Sequence, residues 1–111
     1  MLALIFHIAN RKDWVKAEEN GEYVADSLES QGFIHMSTKE QVIPVANSFY
    51  KDSVDLVLLY IDTEKIKRDL KWEGKDEIGE DFPHLYASLP LEAVVRVEDF
   101  NKDDSGNYLM P

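Results

Sequence analysis

The run SVDLVLLYID, residues 53–62, constrains the fold more than any other part of the chain. Its six consecutive apolar residues, 56–61, include β-branched and aromatic members and end at an aspartate. That is strand length and strand composition, and a strand with no polar side belongs in the middle of a sheet. A second run, LALIFHIA at 2–9, reads as another buried strand. It has the look of a secretion signal only briefly: the apolar part is short, no basic residue precedes it, and a histidine interrupts it. No run approaches eighteen apolar residues, so no membrane-crossing segment is expected.

Around these two strands the chain alternates at first. NRKDWVKAEENG (10–21) predicts a helix with Asn10 as N-cap, Trp14 and Ala17 at helical spacing and Gly21 as the stop. EYVADSLESQG (22–32) predicts a loop or a short helical turn around residues 27–30, and FIHM (33–36) a short strand. STKEQVIPVANSFY (37–50) predicts a second helix. Thr38 and Gln41 have capping-box spacing, and Val42, Val45, Ala46 and Phe49 form its apolar face. Pro44 marks either a kink or a later start. After the central strand, TEKIKRDL (63–70) predicts a turn with Ile66 and Leu70 facing inward, KWEG (71–74) a brief strand and KDEIGEDFP (75–83) a loop. An extended piece from His84, a turn at Pro90 and a last strand at 93–98 follow. The polar segment 99–111 is expected to be loosely held. The second half lacks full helices between its strands. The prediction is therefore a single α+β domain over 1–111, core about 3–98, with a mixed or split β-sheet and two main helices.

Charge and composition narrow the function. Twenty-two acids against 12 bases give a formal net charge of −10. Such a surface repels a phosphate backbone, so sequence-independent nucleic-acid binding is not expected. A small phosphorylated ligand remains admissible, because a few amides at a helix start can hold one phosphate. With no cysteine, disulfides, thiolate catalysis and cysteine-ligated metals are out. A cytoplasmic location is expected.

All three histidines lie in apolar or aromatic surroundings: IFHIA (His7), FIHMS (His35) and FPHLY (His84). One reading makes each a half-buried ring satisfied by backbone; the other converges two or more in a site that titrates near neutrality. A metal is not expected, since the histidines have neither the i, i+4 nor the H-x-H spacing of common zinc sites. Ser37 and Thr38 stand where a strand passes into a helix, which suits capping and also presents hydroxyls and free amides to a ligand. A Ser–His–Asp hydrolase lacks a nucleophile elbow. Among the aromatics, Tyr50, Trp72 and Tyr86 are either packing residues or walls on which a planar ligand stacks. Glu73 is notable for following Trp72 in an extended piece.

The blocks IFHIANRKDW, SLESQGFIHMST, ANSFY, LVLLYID, KWEG and FPHLYASLPLEAV, in this order, resemble the family called domain of unknown function 952. The resemblance spans about residues 3–98. That family in turn looks like a small relative of the ADP-ribosyltransferase fold. The resemblance implies NAD or a related nucleotide as ligand and substrate, with His7 on a ribose hydroxyl and His35, Ser37 and Thr38 beside the ribose and nicotinamide. Transfer of ADP-ribose is the reaction it implies, with Glu73 or His84 in the place of the late catalytic carboxylate. Ile8 and Ala9 depart from the glycine and hydroxyl that usually follow the first histidine. Having only three arginines and a charge of −10 sets the chain apart from the RNA-phosphotransferase branch. The alternative is a non-catalytic small-ligand or interaction domain that keeps the cleft.

Overall fold

A computed structural model describes residues 3–74 and 80–111. Among these residues eight strands and three α-helices follow one another as β1 (Leu4–Asn10), α1 (Arg11–Asn20), β2 (Glu22–Tyr23), α2 (Asp26–Gln31), β3 (Ile34–His35), α3 (Lys39–Phe49), β4 (Leu56–Asp62), β5 (Leu70–Glu73), β6 (Phe82–Leu85), β7 (Leu89–Pro90) and β8 (Val94–Phe100). The apolar run at 56–61 is indeed a middle strand: β4 lies between β1 and β8, antiparallel to both. Its lack of alternation has a direct cause, since both faces of this sheet are covered. Ile5, Ala9, Val57, Leu59 and Ile61 face one core, which Trp14, Ile34, Met36 and Leu85 complete. Phe6, Ile8, Leu56 and Leu58 face a second, closed by Val42 and Ala46 of α3.

A second sheet, ordered β3-β6-β5, supplies part of the first core, and β2 pairs with β7 in a third. Every strand pair among the described residues is antiparallel, so the sheet is split and not mixed. An isolated bridge between Phe6 and Ser37 stitches β1 to the segment leaving β3. The architecture is α+β, with α1 and α3 the two main helices and six-residue α2 a third.

Several boundaries differ from the sequence reading. β1 runs to Asn10, which occupies the N-cap position of α1 without a side-chain cap bond. α3 passes through Pro44 and neither starts nor ends there. The Gln41 half of its capping box is formed, with the Thr38 amide donating to Gln41 Oε1 at 3.0 Å. Of the loop expected at 75–83, residues 75–79 lie outside the described residues, and Phe82 already begins β6. The last strand extends to Phe100. The expectation of a loosely held tail is overturned by Tyr108, which is 2% exposed, stacks on Phe100 and donates its hydroxyl to the Tyr50 carbonyl at 2.7 Å. One buried aromatic anchors a segment whose composition is otherwise polar.

Candidate functional site

The short second sheet has one face in the core and one turned away from it, and the two-residue period of its strands sorts the side chains. Ile34, Met36, Pro83 and Leu85 point inward and are fully buried. Phe33, His35, His84, Tyr86, Lys71 and Glu73 share the other face. His35 and His84 are direct cross-strand partners, and Lys71 is the partner of His84 on its other side. The imidazoles meet edge-to-face with centroids 5.4 Å apart. Phe33 stacks on His84 at 4.1 Å and touches Tyr86 at 5.3 Å.

Hydrogen bonds set the ring orientations. Glu73 Oε2 accepts from His84 Nδ1 at 3.1 Å and from the Tyr86 hydroxyl. A carboxylate only accepts, so the Nδ1 of His84 carries a proton. Gln31 Oε1 accepts from His35 Nε2 at 2.6 Å, which leaves the lone pair of His35 on Nδ1. The Tyr86 hydroxyl and then His84 hold the Glu73 carboxyl below its usual range, and the same hydrogen bond raises Tyr86. Burial, and then the charge of His84, lower His35. Lys71 places its ammonium 4.9 Å from the Tyr86 ring centre.

Two glycines shape this arrangement, in which His35 is exposed and His84 is buried. Gly32, at φ 90°, ends α2 in the left-handed region and hands the chain to β3, so that Gln31 lies beside His35. Gly74, at φ 115°, has no side chain to cover the edge of His84: a Cβ there would stand 3.3 Å from Cε1 and 3.7 Å from Nε2.

His35, Glu73, His84 and Tyr86 are therefore brought together. His7 is not on this face. Its ring is buried, with Nδ1 donating to the His35 carbonyl at 2.5 Å and Nε2 accepting from the Tyr23 hydroxyl at 2.8 Å. Both nitrogens are used inside the protein, so His7 supports the backbone of His35 and does not share a cleft with its ring. Burial lowers the His7 pKa from 6.5 to about 4. Ser37 is buried, its amide and carbonyl exchanged with those of Phe6. Thr38 and Trp72 line a separate shallow cavity of about 330 Å³ with Lys67 and Leu70. Trp72 alternates with Lys71 and Glu73 and so faces away from them. Tyr50 caps the C-terminus of α3 and packs on the second core.

Sequence reasoning passed over Phe33, Gln31, Lys71 and Gly74. The two-residue period within GFIH and KWE already places Phe33 with His35 and Lys71 with Glu73, and was the signal available. Among the described residues no group of three or more histidine or acidic side chains is placed to hold a metal ion. No helix of the described residues is long and apolar enough to cross a membrane.

The family described as protein of unknown function (DUF952) matches residues 8–97. No curated protein matches. The crystal structure of protein CC0527 from Caulobacter crescentus is similar at 34% identity over 96% of this chain and 94% of that one, with a TM-score of 0.88. The solution structure of CC0527 is similar at 35% identity over 94% and 90%, with a TM-score of 0.81.

Proposed function

The chain belongs to the DUF952 family, and on that premise we propose that the outer face of the β3-β6-β5 sheet binds a small nucleotide, NAD or a relative of it, and acts on it by acid–base chemistry. One observation carries this reading: the Glu73-held imidazole of His84 lies against the exposed imidazole of His35 on an aromatic-lined face. A histidine oriented by a carboxylate, itself buried and packed against a second, exposed imidazole, is suited to act as a general base or acid. The flat faces of Phe33 and Tyr86 offer stacking to a base or a nicotinamide ring. Lys71 supplies a cation in an acidic protein, which suits one or two phosphates better than a polyanion. The same reading sets the domain beside the ADP-ribosyltransferase-like folds.

The test is thermal unfolding with NAD, ADP-ribose and adenosine monophosphate, on wild type and His35→Gln. A ligand at a hundred times its dissociation constant adds about 2.7 kcal/mol of stability. We expect at least one nucleotide to raise the melting temperature, with affinity falling by roughly ten- to a hundredfold in His35→Gln. No shift with any of the three, or equal affinities in the two proteins, would remove this face from consideration.

A further inference from the structure

We propose that His35 and His84 are the base and the acid of a single displacement at phosphorus, and that the substrate class is the nucleoside 2′,3′-cyclic phosphates. The inference rests on the nucleotide reading above and names the bond that breaks. The imidazoles are complementary and not redundant. Each has one nitrogen committed, His35 Nε2 to a neutral amide and His84 Nδ1 to a carboxylate. The other nitrogens, His35 Nδ1 and His84 Nε2, have no hydrogen-bond partner among the described residues, and the rings touch without bonding to each other. Two such nitrogens on adjoining rings, one accepting and one donating, are what attack and departure at a single phosphorus atom require.

The partners set the roles. Burial and the neighbouring charge of His84 favour the neutral ring at His35, so its Nδ1 lone pair is available as base. Glu73 accepts from His84 Nδ1, so Nε2 is the nitrogen left to present the acid's proton. Because Glu73 Oε2 is already occupied by His84 and Tyr86, the carboxylate orients a histidine here more readily than it meets a ribose hydroxyl. That arrangement suits displacement at phosphorus better than departure of nicotinamide. In the step itself, water attacks phosphorus and gives its proton to His35 Nδ1. The bond from phosphorus to one ribose oxygen breaks, and that oxygen takes the proton from His84 Nε2. A nucleoside monophosphate leaves, nothing is oxidised or reduced, and solvent returns the two rings to their starting protonation. A cyclic phosphate carries one negative charge, which Lys71 can meet. A nucleic-acid strand would instead face the whole charge of −10.

The experiment follows adenosine 2′,3′-cyclic phosphate by phosphorus NMR with the purified full chain, alongside binding of adenosine monophosphate by titration. Circular dichroism checks that His35→Ala, His84→Ala and the gentler Glu73→Gln are folded. Wild type should open the ring, and each histidine variant should lose about a hundredfold or more in rate. Glu73→Gln should lose less than either histidine variant, because the amide oxygen of glutamine still accepts from His84 Nδ1 and keeps the ring oriented. Binding of adenosine monophosphate without opening of the cyclic ring overturns this inference and leaves the nucleotide reading intact. Absence of any nucleotide binding overturns both. Ring opening at wild-type rates in folded His35→Ala or His84→Ala overturns the assignment of roles.

Discussion

His7 shows how one ionisable residue, read from sequence as a site histidine, serves as an internal strut. Its carbonyl partner can only accept, so Nδ1 carries the proton and Nε2 receives the Tyr23 hydroxyl. A second ring proton would place a charge in the protein interior, and burial lowers the pKa from 6.5 to about 4. The unfolded chain therefore binds more protons than the native protein between those two values. The stability that neutral His7 confers is complete above pH 6.5 and is lost as pH falls from 6.5 towards 4. Each pH unit is worth about 1.4 kcal/mol, so the loss attributable to this ring reaches roughly 3 kcal/mol. Urea unfolding at pH 7, 6, 5 and 4 should show that slope, and His7→Gln should flatten it from a lower starting stability. An unchanged slope in the variant would locate the acid sensitivity elsewhere.

The hand-off from α2 to β3 is the element on which the outer face depends. In six residues a helix ends, the chain reverses its backbone hand at Gly32, and Gln31 comes to hold His35 four residues on. A Cβ at position 32 meets nothing within 4 Å, so Gly32→Ala isolates the cost of a left-handed alanine. We expect a loss of about 1–2 kcal/mol in chemical denaturation, with no change in the burial-dependent slope. A neutral or stabilising result would mean that α2 can end differently. The helix stop was legible as a glycine in the sequence; that the stop also aims a histidine was not, because a hydrogen bond between side chains follows from the turn geometry that brings them together.

At the scale of the whole molecule, one doubly covered sheet organises everything else. α3 and the C-terminal tail close one face of β1-β4-β8, while α1 and the two smaller sheets close the other. The tail belongs to the core: Tyr108 takes the Asn47 side chain on its amide and the Tyr50 carbonyl on its hydroxyl, and Lys102 donates to the Ser53 carbonyl. Removing a buried aromatic typically costs 3–5 kcal/mol. Tyr108→Ala should therefore lower stability by about 3 kcal/mol, measured by thermal unfolding, while leaving the outer face of the β3-β6-β5 sheet intact. A change below about 1 kcal/mol would return the segment to the status of a loose end.

The apolar runs at 2–9 and 56–61 determined by themselves that this chain builds a sheet with a strand buried on both faces, because an unalternating strand has no side for water. The Thr38–Gln41 spacing and Gly21 likewise bounded two helices through groups only a few residues apart. Which polar residues meet was decided by tertiary structure alone. His35 and His84 are 49 positions apart in the sequence and become neighbours only through the antiparallel register of β3 with β6. That register is set by burying Ile34 and Leu85 on the opposite face, so packing on the inside of the sheet places the chemistry on the outside. Tyr108 is the converse case: its polar neighbours conceal a core residue, since burial is conferred by the partner surface of Phe100 and α3 and leaves no periodic trace in the segment 101–111 that follows β8.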